Sequence, residues 1–168
     1  VQTWEGAKSY DFAYSRFLLS QLWDPESILR KIHGVLKSGS AILLEDMDFS
    51  GTYAYPASDA FDQYAALHQE LFNRRGFDLK IGPKLPELLR RAGFKHVQVQ
   101  VRQPVFQFEE GKHLPSLALE NIAEDLIREK VISLAELKGV VARLRKFEED
   151  PTTQVSLPRI FQVWGYVE

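Results

Sequence analysis

Hydrophobic and polar positions along the chain alternate between two periods, and the switches between them outline the elements. Tyr10-Asp11-Phe12-Ala13-Tyr14 is short, aromatic-rich and strand-like, after the turn-prone Gly6-Ala7-Lys8-Ser9. Asp24-Pro25 predicts a helix start: Asp24 can cap, and Pro25 suits the first helical position, where a missing N–H costs nothing. Ile28, Leu29, Ile32, Val35 and Leu36 then form one helical stripe, and Gly39 stands where a left-handed stop is expected. Ala41-Ile42-Leu43-Leu44 is a continuous apolar run, which predicts a strand buried on both faces of a parallel sheet. Strand, helix and strand in this order make a βαβ crossover, right-handed by the general rule.

The next stretch changes character. Residues 51–58 read as a loop carrying Tyr53, Tyr55 and Pro56. A helix is predicted from near Asp59 to Arg75, with Phe61, Tyr64, Ala65, His68, Leu71 and Phe72 on one side. Another follows Gly82-Pro83 on Leu85, Leu88, Leu89 and Ala92, and stops at Gly93. Val97, Val99 and Val101 alternate with Gln98, Gln100 and Arg102, the pattern of a half-exposed strand. Residues 113–147 predict two helices, the second opened by a capping box of Ser133 and Glu136. The last strand is expected over Ile160 to Val167.

Composition narrows the classes. At 168 residues, with 45% hydrophobic and 26% charged residues, the chain fits one globular domain. Lys and Arg number 21 against 23 for Asp and Glu, so no basic field is available for generic nucleic-acid binding. The absence of cysteine excludes disulfides, thiolate metal sites and cysteine nucleophiles. No apolar run approaches the roughly 20 residues of a membrane helix. The first residues carry neither an initiator Met nor a signal-peptide pattern, and read as a cut through a longer protein.

Candidate chemistry gathers after the buried strand, at Glu45, Asp46 and Asp48. Ligands of open parallel sheets bind beyond the carboxyl ends of the strands, which puts these acids on the ligand side. Three acids in four residues are weak evidence for a metal, and polar pocket lining or a solvated loop explains them as well. The four histidines are scattered, with no pair at metal-ligand spacing. His68, beside Tyr64 and Phe72, is a general-base candidate whose more frequent counterpart is a partly buried, hydrogen-bonded histidine. Lys37-Ser38-Gly39-Ser40 leads into a strand and so lies at the wrong end of the sheet for a phosphate loop, and no G-x-G-x-x-G occurs.

The ordered set Tyr10 to Leu22, Asp24-Pro25, Val35 to Ser40 and Leu44-Glu45-Asp46 resembles the class I S-adenosylmethionine-dependent methyltransferases. Leu85 to Phe94 resembles that family's helix before the sixth strand, and Pro158 to Gly165 its seventh strand. The resemblance implies an α/β, Rossmann-like methyltransferase sheet, incomplete, comprising strands four to seven. It treats residues 1–168 as a single C-terminal part of the catalytic domain, with a helical insert at 103–157 between the last two strands. The family's glycine-rich loop and ribose-holding acid have no counterpart here. Under this resemblance Ser15 and Arg16 line the methionine side of the S-adenosylmethionine site, with weak or absent cofactor binding by this chain. Asp46, Asp48 and His68 are the candidates for proton removal from a small-molecule acceptor. Acceptor specificity is expected in the inserts at 49–82 and 103–157. No metal, nucleic acid or membrane is expected, the setting is expected to be cytoplasmic, and the exposed edge near Tyr10 to Phe17 suggests a homo-oligomer. The rival expectation is a non-catalytic, dimerising α/β interaction module.

Overall fold

The computed structural model describes residues 8–108 and 110–168. In chain order the strands are β1 (Tyr10–Arg16), β2 (Leu36–Asp48), β3 (Ala54–Tyr55), β4 (Lys95–Arg102), β5 (Val105–Phe106), β6 (Gln154–Ser156) and β7 (Arg159–Tyr166). The helices are α1 (Pro25–Val35), α2 (Asp59–Arg74), α3 (Leu85–Arg91), α4 (Leu114–Asn121), α5 (Ala123–Arg128) and α6 (Leu134–Glu149). They divide into two units. One comprises the described residues up to Asp48, Phe77–Arg102 and Ile160–Glu168; the other comprises Phe49–Gly76 and Gln103–Arg159. The two expected inserts therefore fold together as the second unit, except that residues 77–82 belong to the first.

The first unit is a four-stranded sheet in the order β1-β2-β7-β4. β1 and β2 are parallel, whereas β4 and β7 are antiparallel. Bonds between Gly39 and Val167 at one end of β2 and between Glu45 and Gln162 near the other show that β7 also runs against β2. The crossover helix α1 starts as its sequence predicts: Asp24 accepts from the Ser27 N–H at 3.0 Å, and Pro25 occupies the first turn. It ends differently. The chain leaves α1 at Leu36 in extended conformation, so Gly39 is not its stop. With φ of +80°, Gly39 instead turns the early part of β2, where the pairing with β1 slips between Tyr10 and Phe12.

The central strand also corrects an expectation. β2 is not fully buried on both faces: Ile42 and Leu44 are buried, while Ala41 and Leu43 on the other face are half-buried. The cause is that α1 and α3 supply Leu29, Leu85 and Leu89 to the Ile42–Leu44 face, where Phe94 and Val163 complete the core. Each fully buried side chain of this kind contributes on the order of 2 kcal/mol. At Gly82 any Cβ would come within 2.5 Å of the Phe161 ring, so only glycine allows this close approach.

In the second unit α2 packs on α4, α5 and α6. Its apolar interior includes Phe61, Leu71, Leu119, Leu126 and Leu144. Residues 113–147 hold three helices and not two, because the backbone breaks at Ile122 between α4 and α5. The capping box is present, with Ser133 and Glu136 bonding reciprocally at the start of α6. A small antiparallel sheet in the order β3-β6-β5, which the periodicity does not announce, closes the unit. No helix among the described residues is long and apolar enough to cross a membrane.

Candidate functional site

Period-two geometry sorts the residues at the carboxyl ends of β1 and β2 into two sets. Asp46 and Asp48 share the buried face of β2 with Ile42 and Leu44, and Glu45 points the other way. Asp46 is buried at 1% exposure, and its oxygens are already engaged: Oδ2 accepts from the Ser20 N–H at 3.1 Å and Oδ1 from the Met47 N–H at 2.9 Å. Burial raises its pKa, and the backbone N–H groups of Met47, Ser20 and Leu19 work against that rise. Asp46 thus pins the short turn over Leu19–Gln21 to the end of the central strand. That packing role accounts for the residue without proton transfer. Asp48 is buried at the last position of β2.

On the opposite face Arg16 and Glu45, both candidates from the sequence, come together with Tyr14 and Gln162, which were not. Arg16 pairs in register with Glu45 across β1 and β2, and Tyr14 lies two residues earlier on the same face. Tyr14 donates its hydroxyl to Glu45 Oε2 at 2.5 Å, and Gln162 of β7 donates its amide to Oε1 at 2.5 Å. Arg16 Nε stands 3.6 Å from Glu45 Oε2, and its guanidinium lies 5.0 Å from the Phe17 ring centre. The Tyr14 and Gln162 bonds hold the Glu45 carboxyl below its usual range, and the same bond raises the Tyr14 hydroxyl. The pattern was available in principle: alternation puts Tyr14, Arg16 and Glu45 on common faces of adjacent parallel strands. Ser15 is half-buried between Tyr14 and Arg16.

His68 belongs to the second unit and Asp46 and Asp48 to the first. Its ring is stacked between Phe49 and Phe72, each with centroids 5.4 Å away, and meets Tyr64 edge-on at 5.1 Å. Nδ1 is buried with no hydrogen-bond partner among the described residues, and burial lowers the pKa to about 4. At neutral pH this is an uncharged ring in an aromatic stack. Also in the second unit, an open groove of about 730 Å³ is lined by Leu67, Ile132, Val140 and Arg143. No group of three or more potential metal ligands occurs among the described residues.

No family model matches the chain. No curated protein matches it either. Solved structures do. A methyltransferase candidate from Bacillus halodurans aligns over 98% of this chain at TM-score 0.55 and 17% identity. The YcgJ protein of Bacillus subtilis aligns over 96% at TM-score 0.51 and 13% identity. A SAM-dependent methyltransferase from Thermotoga maritima aligns over 97% at TM-score 0.50 and 16% identity. The chain spans 67%, 65% and 58% of these three structures. It spans 35% of Haemonchus contortus phosphoethanolamine N-methyltransferase 2. These likenesses show the fold: a mixed α/β, Rossmann-like sheet of the kind on which class I S-adenosylmethionine-dependent methyltransferases are built.

Proposed function

We propose that the protein takes part in S-adenosylmethionine-dependent methyl transfer to a small-molecule acceptor. The observation that carries this reading is the placement of Arg16. A guanidinium exposed over 61% of its side chain stands at the carboxyl end of β1, in a fold shared with methyltransferases. The residue present fits the amino-acid end of the cofactor in its chemistry: the Arg16 guanidinium matches a carboxylate, while Ser15, in register with Leu44, lies on the other face of β1. For the adenosine end, the chain offers no G-x-G-x-x-G loop. When bound, the cofactor supplies an electrophilic methyl group on a sulfonium, so the protein's task is largely to position an acceptor for in-line attack. The second unit, including residues 103–157, is assigned to acceptor recognition, and a cytoplasmic setting belongs to the same proposal.

The test is methyl transfer from radiolabelled S-adenosylmethionine to a panel of small amines, thiols and phenols. Weak label on one acceptor class, in keeping with the weak cofactor binding expected of this chain and lost in Arg16→Ala, is the expected result; label that Arg16→Ala leaves unchanged, or no transfer and no cofactor binding even at millimolar concentration, contradicts the reading. A second reading, the dimerising module, is favoured by one feature. Tyr10, Phe12 and Tyr14 are 45%, 55% and 52% exposed along a strand that ends the described sheet. Sedimentation separates the two: a dimer that Phe12→Lys dissociates supports an interface along Tyr10 to Phe17, and a monomer at high concentration removes it.

A further inference from the structure

We propose that Glu45 is a positioning residue that holds the Arg16 guanidinium toward the amino-acid end of the cofactor; this rests on the methyl-transfer reading above. The Glu45 carboxylate is itself firmly held. Each oxygen accepts a neutral hydrogen bond from a different neighbouring strand, Tyr14 of β1 on Oε2 and Gln162 of β7 on Oε1. A carboxylate clamped on both sides cannot swing, and its side chain is only 14% exposed. Those same bonds hold its carboxyl below the usual range.

Arg16 is then oriented from two directions. Glu45 faces its Nε at 3.6 Å, and the Phe17 ring lies 5.0 Å from its guanidinium carbon. Phe17 is placed there by a left-handed backbone turn, φ +51°, at the end of β1, with its N–H bonded to the Glu45 carbonyl at 2.8 Å. The pairing involves Nε, one of five guanidinium N–H groups, in a side chain that is otherwise mostly exposed. At 3.6 Å and this exposure the pair adds little to stability. Its effect is to narrow the directions in which a flexible cation points, which reduces the ordering cost of binding an anion.

The test compares two ligands by ligand-observed NMR titration of the protein. S-adenosylmethionine carries the amino-acid group, and 5′-methylthioadenosine shares the adenosine and sulfur but lacks it. Three variants are used: Arg16→Ala, Glu45→Gln and Tyr14→Phe. Glu45→Gln can keep both neutral bonds if the Gln162 amide turns over, and it removes only the charge facing Arg16. Arg16→Ala is expected to weaken S-adenosylmethionine about tenfold, the loss of one charge-assisted contact. Glu45→Gln is expected to weaken it about threefold, the scale of an exposed ion pair. Tyr14→Phe, at an exposed position, should act in the same direction by less. Methylthioadenosine affinity should not move in any of them.

The failures are distinct. An Arg16→Ala effect without a Glu45→Gln effect overturns the positioning role and leaves the methyl-transfer reading standing. Equal weakening of both ligands by Glu45→Gln makes Glu45 merely structural. If Glu45→Gln unfolds, Tyr14→Phe decides between the same outcomes. No preference for S-adenosylmethionine in the unsubstituted protein, or no effect of Arg16→Ala, overturns both readings together.

Discussion

The two units bury their polar groups in different ways. In the first, a single apolar cluster runs from Leu19 to Val167, and the polar groups it buries include Ser20, Ser40, Asp46 and Asp48. The second buries a lysine and a glutamate as well. Lys112 donates to the Asp150 carbonyl at 2.5 Å. Glu148 accepts from the Ser116 N–H at 2.9 Å and the Ser116 hydroxyl at 2.6 Å, with His113 Nδ1 3.5 Å away. Since His113 provides no side-chain cap for α4, Glu148 of α6 does that work from another helix. Elsewhere in this unit Arg75 joins α2 to Asp125 and Glu129, and Gln103 donates to the carbonyls of Gly51 and Leu157. The lesson is that periodic apolar packing builds the sheet, whereas specific bonds between distant residues hold the helical unit in register.

That contrast can be broken at each end. Leu44→Ala, at a fully buried position of the central strand, should cost about 2–5 kcal/mol through lost burial and a cavity. Chemical denaturation of the variant measures it. Glu148→Ala should cost about 2–4 kcal/mol, because the buried Ser116 N–H loses a charged acceptor and α4 its cap, while the Ser116 hydroxyl keeps the His113 carbonyl at 3.1 Å. Hydrogen exchange should show the loss as faster exchange at α4. A loss spread evenly over the first unit would argue against the division drawn above.

A pH experiment sharpens the comparison further. Burial lowers His68 to about 4, whereas an exposed histidine titrates near 6.5. Between those values the unfolded chain binds a proton that the folded ring does not. The His68 contribution is therefore fully present above pH 6.5 and is lost as pH falls toward 4, at about 1.4 kcal/mol per pH unit and about 3 kcal/mol in all. His68→Phe keeps the stack between Phe49 and Phe72 and should flatten this dependence in melts at pH 7 and pH 4.5. The smallest effect is expected from Ser133→Ala, about 1 kcal/mol from loss of the capping box at α6.

The same difference explains what was legible in the sequence. α1, β2, α3 and β7 are announced by apolar periods, caps and Gly or Pro signals, all of which act within a few residues. The capping box at Ser133 is local in the same sense. Gly39 misled because a glycine three residues past an apolar stripe that ends at Leu36 suits a helix stop and a strand irregularity equally. The break at Ile122 has neither Gly nor Pro to mark it. β3, β5 and β6 are two or three residues long and depend on partners as far as 103 positions away, such as the Ser156 hydroxyl that accepts from the Tyr53 N–H. At the site, the acids were visible as a group but were expected after the strand; they lie in its last four residues, so their division was decided by β2 alternation. That division made Asp46 a structural acceptor and Glu45 the partner of Arg16.

The central claim is that the ligand end of this protein is the carboxyl end of β1 and β2. Backbone chemical-shift mapping during titration with S-adenosylmethionine tests it most directly. The account predicts shifts centred on Ser15 to Gln21 and Glu45 to Asp48, diminished in Arg16→Ala. Shifts confined to the groove lined by Leu67, Ile132 and Arg143, with the ends of β1 and β2 unmoved, would contradict it.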